Sequence, residues 1–253
     1  MKSIILAAGA GNRLKPYTNE VPKCLVEIAG KSLLNWQIES LIEANISEIN
    51  IVTGYKYKKI EELQDKRLNK IYFNSNYSSS NMVKSLLVAE ELFNSDLLIS
   101  YSDIIFSSKI VSTLLISKYK NAIIVDLDWY KLWSQRFENP LDDAETLIFD
   151  KNFNLLEIGK KAKNLNNIMA QYIGLMKFDK ETLNFISKLN IGNKIEDNLY
   201  MTDLISLFLD YGINIKVIPI KRGWLEIDSV SDLSTYNEAL LSNKASNIFN
   251  IFS

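Results

Sequence analysis

The first two dozen residues constrain this chain more than any other stretch. An apolar run over residues 3–8 leads straight into Gly9-Ala10-Gly11-Asn12-Arg13, and Pro22-Lys23 stands ten residues beyond Arg13. The run has the length and apolarity of a strand buried on both faces, as in the middle of a parallel sheet. Gly9 and Gly11 permit positive φ and close backbone approach, so successive N–H groups can converge on one anion. Arg13 offers a planar fork for phosphate oxygens and Lys23 a compact point charge. Pro16 and Pro22 stiffen the excursion between these two cations. The bland alternative is an ordinary strand-turn-helix crossover with solvated cations; Arg13, Pro16, Thr18, Pro22 and Lys23 together favour phosphate handling. Leu14 stands where a dinucleotide fingerprint needs its third glycine, and no GxxxxGK[ST] loop exists.

The 253 residues suffice for a sizeable core, and the expectation is one domain over 1–253. It is expected to divide into a first half (about 1–130), a second half (about 131–242) and a tail (243–253). A hydrophobic share of 47% with 23% charged residues is that of an ordinary globular chain. Net charge −1 argues against a nucleic-acid partner, which demands a basic surface. One cysteine and no histidine exclude an internal disulfide, a Cys-His nucleophile and most zinc chemistry, so Cys24 reads as a small core residue. Any metal is then held by oxygen, which favours magnesium. No secretory leader and no membrane span are expected, and the reduced cysteine suits the cytoplasm.

Alternating elements in the first half predict a parallel sheet with crossover helices. Strands are expected over 3–8, 48–53, 70–73, 96–101 and 122–127, and helices over 32–44, 56–64, 82–93 and 109–118. In the second half, 146–149, 155–158 and 171–178 read as a short meander. Helices follow over 179–188 and 201–211, a strand over 214–220 and a closing helix over 230–241. The apolar tail, with Ile248, Phe249, Ile251 and Phe252, is expected to pack on the body or on a second copy as a homodimer.

Asp103 follows the 96–101 strand at its carboxyl end, the edge to which 3–8 delivers its loop and where ligands bind in open α/β sheets. It could equally cap the next helix. Glu226 and Asp228 alternate around Ile227 and share a face in extended chain. Two such carboxylates repel unless a cation lies between them; an oxygen-ligated metal supplies that need, while helix capping by Asp228 or Ser229 is the plain alternative. In the middle, Asp128, Trp129 and Trp133, then Glu145, then Gln171 and Tyr172 mix aromatic faces with acids and amides. That set suits an ammonium group, or the aromatics are core anchors. Lys160, beside Lys161, either holds an acceptor phosphate or lies on a solvated hairpin face.

Gly9, Gly11, Arg13, Leu14, Pro16, Thr18, Pro22, Lys23 and Leu25 resemble the signature G-x-G-x-R-L-x-P-x-T-x-x-x-P-K-x-L of nucleotidyltransferases, which join a nucleoside triphosphate to a small phosphorylated compound. The resemblance implies an α/β fold, a Rossmann-like three-layer sandwich with a central mixed, mostly parallel sheet and a small β appendage. It implies that Leu6, Ala7, Ala8, Gly9, Ala10, Gly11 and Asn12 hold the nucleotide, Arg13 the β,γ-phosphates and Lys23 the reacting α-phosphate. Tyr101-Ser102-Asp103 and Trp224-Leu225-Glu226-Ile227-Asp228 resemble the metal-binding segments of the phosphocholine-cytidylyltransferase branch. Asn81 and Ser85, after Asn76-Tyr77, resemble its base-proximal loop and helix, and Gly54-Tyr55 its second nucleotide loop. From this branch follow CTP as substrate, Mg2+ on Asp103, Glu226 and Asp228, and Ser102 beside the nucleotide. The string from Asp126 through Tyr172 is similar to cytidylyltransferases acting on small phosphorylated amines, phosphonates or the phosphoglutamine of a bacterial capsule phosphoramidate pathway, the last most of all. Ser102-Asp103 and Ile158-Gly159-Lys160-Lys161 depart from the sugar-nucleotide branch. The alternatives are a sugar-1-phosphate nucleotidyltransferase using UTP or dTTP, and an inactive nucleotide-binding regulatory subunit.

Overall fold

In the structure, a computed structural model describing residues 1–241, Lys2–Ala7 forms β1 and every residue in it after Lys2 is buried. Ile5 and Ala7 face one hydrophobic core and Ile4 and Leu6 the other, so an uninterrupted apolar run serves two cores through the strand's period of two. After β1 come a small hairpin of β2 (Glu27–Ile28) and β3 (Lys31–Ser32), α1 (Leu33–Glu43), β4 (Glu48–Thr53), α2 (Tyr57–Glu61), β5 (Leu68–Phe73) and α3 (Met82–Leu87). Then follow β6 (Leu97–Tyr101), β7 (Ile104–Phe106), α4 (Ser108–Ile116), β8 (Ala122–Asp126) and α5 (Trp129–Arg136). The rest comprises β9 (Glu145–Phe149), β10 (Leu155–Lys161), β11 (Gln171–Phe178), α6 (Lys180–Ile191), α7 (Met201–Asp210), β12 (Lys216–Ile220), β13 (Trp224–Glu226) and α8 (Val230–Leu241).

Seven strands make the central sheet in the order β12-β8-β11-β6-β1-β4-β5, parallel except for β11, which runs antiparallel to both β6 and β8. One core packs α1, α4, α5 and α8 residues against one face; the other packs α3, α6 and α7 against the opposite face. This is the expected three-layer α/β arrangement with a mixed, mostly parallel sheet, and the β9–β10 hairpin is its small β appendage.

Several element predictions change. Residues 171–178 are no third strand of a meander. They form β11, buried along nearly their whole length and inserted between β6 and β8, whereas β10 pairs with β9. The predicted helix 82–93 stops after α3; Ala89 leaves helical geometry (φ −104°, ψ 26°) and Glu90–Asn94 continues as a 3₁₀ turn. Leu86, Leu92 and Phe93 are buried all the same, since their spacing fits either winding. The predicted helix 56–64 shrinks to α2 between Lys56 (φ 49°) and Gln64 (φ 45°), both left-handed. The antiparallel pair β7–β13 has no counterpart in the sequence reading. The tail prediction, with Ile248, Phe249, Ile251 and Phe252, lies outside the described residues.

Candidate active site

The parallel strands deliver their carboxyl ends to one edge of the sheet, and a cavity of about 340 Å³ opens there. Its wall draws on Leu6 and Ala8 at the end of β1, on Gly9, Gly11, Asn12 and Arg13 of the loop, and on Lys23. It is completed by Asn81 and Ser85, by Ser102 and Asp103, and by Asp228.

The glycines of the loop behave differently. Gly11 is left-handed (φ 62°), and a Cβ there would meet Lys23 Cβ at 2.9 Å and Thr18 Cγ2 at 3.2 Å. Gly9, expected to share that freedom, has no positive φ; it is exposed, and a Cβ there would meet nothing within 4 Å. Its missing side chain therefore leaves room beside the cavity rather than permitting a turn. Thr18 Oγ1 donates to Gly11 O (3.0 Å) and Tyr55 OH to Thr18 O (3.0 Å), pinning the loop from two sides.

Lys23 is the centre of charge. Its ammonium donates to Asp103 Oδ2 at 2.8 Å and to Asp228 Oδ1, while Arg13, two-thirds exposed, pairs with the other oxygen of Asp228. Burial alone lowers the Lys23 pKa; the charges and hydrogen bonds of Asp103 and Asp228 outweigh it and hold it above the usual lysine value. Two cations and two carboxylates from four segments thus balance around one cavity. Cys24, next in sequence, is buried and its thiol is pushed up to about 12 by that burial, which suits a core residue and not a nucleophile.

Each acid is set by packing that the capping alternative does not describe. Asp103 sits in the two-residue turn between β6 and β7, ahead of Ser107, which holds the position before α4. The fully buried Gln37 of α1 straddles that turn, its Nε2 donating to Tyr101 O (2.8 Å) and Ile104 O (2.7 Å) while its Oε1 accepts from Ser100 Oγ (2.8 Å). Ile227 N donates to Asp103 O (2.8 Å), joining the two acidic segments directly. Ser229, the other half of the capping alternative, does cap α8: Asp232 N donates to Ser229 Oγ (3.1 Å), and Asp232 Oδ2 accepts from Ser229 N (2.9 Å) and Asp228 N (3.0 Å), so the Asp228 carboxylate is not the cap.

Asp103 Oδ1 is buried without a hydrogen-bond partner among the described residues. A buried carboxylate oxygen without a partner is costly unless a cation or donor arrives. Asp103 and Asp228 thus fit an oxygen-ligated divalent cation. Glu226, expected as a third ligand, is engaged elsewhere: it ion-pairs with the buried Arg136. Burial pushes Glu226 up to about 7, with Arg136 opposing and Asp103, Asp228 and Asp143 adding to the rise. Among the described residues no three His, Cys, Asp or Glu side chains cluster as a metal-ligating set.

The remaining predicted residues divide. Ala7 lies in the core on the α1 side, because strand alternation turns it away from the face that carries Leu6. Ala10, Gly54 and Tyr55 do not line the cavity. Gly54 is needed for close approach instead, since a Cβ there would lie 2.5 Å from Tyr77 Cβ and 2.6 Å from Ala8 O. Asn81 lines the cavity and caps α3, its Oδ1 accepting from Met82 N (2.9 Å) and its Nδ2 donating to Asn198 O (3.1 Å). Ser85 Oγ accepts from Asn74 Nδ2 (3.0 Å). Tyr77, which the resemblance sets in the base-proximal loop, also lines the cavity, as do Ser80 and Met82; nothing in the residue types of these last two marks them, and only their position beside Asn81 could have done so.

Of the acceptor set, Glu145, Gln171 and Tyr172 come together. Gln171 donates to Glu145 O (2.7 Å), and the rings of Tyr101 and Tyr172 meet edge to face at 5.8 Å. Burial, then the charges of Asp203 and Asp143, push Glu145 up to about 7. The charge of Asp143 thus bears on both Glu145 and Glu226. Asp203 escaped the sequence reading because an acid in a helix's first turn looks like a cap, and it does accept from Tyr200 N (2.9 Å). Trp129 and Trp133 are buried, packed edge to face at 5.9 Å, and are core anchors rather than a ligand platform. Asp128 faces Arg222 (3.5 Å) and Lys131 (3.8 Å) at a separate small cavity. Lys160 is solvated and pairs with Glu157 (2.7 Å).

A strand-borne glycine loop with paired cations, facing acids from two later segments across one cavity, is the arrangement of a nucleotidyltransferase, and the chain belongs to that family: residues 2–129 match the Nucleotidyl transferase family model. It is similar to the CTP:phosphoglutamine cytidylyltransferase of Campylobacter jejuni, 39% identical over 253 residues that cover 94% of this chain and all of that one. It is also similar to the choline-phosphate cytidylyltransferase of Streptococcus pneumoniae, 45% identical over 96 residues that cover 38% of this chain and 42% of the relative. In fold it matches the solved CTP:phosphocholine cytidylyltransferase of Streptococcus pneumoniae, with TM-score 0.73 and 24% identity over 94% of this chain and 98% of that one. No helix among the described residues is long and apolar enough to cross a membrane.

Proposed function

We propose that this enzyme transfers a cytidylyl group from CTP to a small phosphorylated amine or amino acid, phosphoglutamine foremost, releasing pyrophosphate. The observation that carries the reading is the charge balance of Arg13, Lys23, Asp103 and Asp228 around one cavity at the carboxyl edge of the sheet. An acceptor phosphate oxygen attacks the α-phosphorus of CTP. The new P–O bond forms as the bond to the β-phosphate oxygen breaks, and pyrophosphate leaves with that electron pair. The acceptor phosphate is already ionised, so no general base is needed, which agrees with a chain without histidine.

Catalysis is then positioning and charge neutralisation. Lys23 turns from its carboxylate partners to the α-phosphate, and Arg13, on the rim, to the leaving phosphates. Asp103 and Asp228 would hold Mg2+, which when bound supplies positive charge to phosphate oxygens. The nucleoside lies along Leu6, Ala8 and Gly9 toward Asn81 and Ser85. Glu145, with Tyr172, Gln171 and the neighbouring acids, receives an ammonium group of the acceptor. Residues 1–130 furnish the nucleotide half and the later residues the acceptor half, in one cytoplasmic domain. The capsule-building role that the resemblance implies belongs to the same proposal.

Pyrophosphate release is to be measured with each of the four ribonucleoside triphosphates and dTTP, with Mg2+, against phosphoglutamine, phosphocholine, phosphoethanolamine, 2-aminoethylphosphonate and glucose 1-phosphate. The expected result is turnover with CTP and an amine-bearing acceptor. Turnover confined to UTP or dTTP with the hexose phosphate would sink the proposal, and nucleotide binding with no release for any acceptor would mark a regulatory subunit.

A further inference from the structure

Arg136 ends α5, outside every motif of the sequence, yet its side chain is 2% exposed. Its Nη1 pairs with Glu226, its Nε donates to Asp232 Oδ1 at 2.9 Å and its Nη2 reaches Asp232 Oδ2 at 3.3 Å. The Asp232 side chain is equally buried, and Oδ2 is the atom that accepts from the backbone N–H groups of Asp228 and Ser229. The guanidinium lies 5.3 Å from the Trp133 ring and 5.0 Å from that of Phe137, which hold it in one orientation. One buried cation therefore grips the acids two residues before and four residues after Asp228.

The grip has two consequences. Through Asp232 it fixes the backbone at Asp228 and so aims that carboxylate at Lys23 and Arg13. Through Glu226 it occupies an acid that strand pairing sets against Ile104, next to Asp103. Without Arg136, Glu226, two residues from Asp228 and paired across the strands with Ile104 next to Asp103, would be a third acid near that pair, and three acids facing two cations attract a divalent cation without any nucleotide. With Arg136 present, Glu226 is withheld, and the cavity offers two acids already balanced by two cations.

We infer that Arg136 is a positioning residue that withholds Glu226 from the Asp103–Asp228 pair and aims Asp228 through Asp232. The inference rests on the reading of these two aspartates as the divalent-cation site. The test titrates Mn2+ calorimetrically into the nucleotide-free protein, as wild type, Arg136→Met and Arg136→Met/Glu226→Gln. Cytidylyl transfer and thermal unfolding are measured on each. Arg136→Met is expected to bind Mn2+ about tenfold or more tightly than wild type while kcat falls about 10–100-fold, as for partners that orient metal ligands. Adding Glu226→Gln returns Mn2+ affinity to the wild-type value, because the released carboxylate causes the gain. A purely structural arginine would lower the unfolding temperature and leave Mn2+ affinity unchanged, and that result overturns the inference. Should Arg136→Met fail to fold, Arg136→Lys decides: a single ammonium cannot hold both acids, so a roughly tenfold loss of kcat is expected, and wild-type kcat overturns the proposal. Wild type inactive with every nucleotide and acceptor would defeat the proposed activity, while the nucleotide-free titration still judges Arg136.

Discussion

Gly9 and Gly11 separate what a residue does for the fold from what it does for a ligand. Gly11→Ala forces a side chain into left-handed backbone against Lys23, so urea unfolding should show a loss of roughly 1–2 kcal/mol. Gly9→Ala meets no protein atom within 4 Å. It should leave stability within about 0.5 kcal/mol while raising the KM for CTP, because its methyl enters the space beside the cavity. Lys23→Ala should lower kcat by roughly 10²–10³-fold, the cost of one preorganised charge. It also strips Asp103 and Asp228 of their shared counter-ion, so its unfolding temperature should fall and be raised by Mg2+ alone, more than in wild type. Near wild-type turnover would remove Lys23 from the mechanism. Glu145, pushed up to about 7 in the folded protein, titrates near 4.3 in an unfolded chain. A raised carboxylate pKa contributes stability below the unfolded value, and that contribution is lost as pH rises toward 7. Glu145→Gln should therefore gain in unfolding temperature over wild type at pH 8 more than at pH 5. The same ionisation charges the proposed ammonium site, so the KM of an amine acceptor should fall as pH climbs through 7, and the Gln variant should flatten that dependence.

Secondary elements account for most of the differences between expectation and structure. Strand alternation sends Ala7 into the core while Leu6 and Ala8 face the cavity, a consequence of period two that a contiguous motif conceals. The first-half strands inside the sheet were legible within a residue or two because parallel strands buried on both faces read as plain apolar runs; β5, half exposed at the sheet edge, is the exception. The α5 aromatics were ambiguous, since a buried Trp and a ligand-stacking Trp are the same residue, and only packing against α8 and Trp224 separates them. Asn81 serves two elements at once: it caps α3 and ties it to the segment before α7. Asn81→Ala should cost about 1 kcal/mol as a lost cap and raise the KM for CTP, read by urea unfolding and steady-state kinetics; an unchanged KM would confine Asn81 to structure.

Across the whole molecule, β11 is the piece that local pattern could not supply. Its antiparallel insertion between β6 and β8 sets Tyr172 beside Tyr101, and so brings the second half of the chain against the strand that leads to Asp103. Sequence neighbours suggested a meander because β9 and β10 precede it, while its real partners lie far along the chain. The amino-acid order by itself determined the α/β class and the glycine loop, and singled out Arg13, Lys23, Asp103 and Asp228 as the candidates that the fold brings to one cavity, because these depend on short-range period, turn chemistry and charge. Only the tertiary structure decided that Glu226 belongs to Arg136, that Gln37 braces the turn carrying Asp103, and that the charges of Asp143 and Asp203 bear on Glu145, because buried charges find their partners through space and not along the chain.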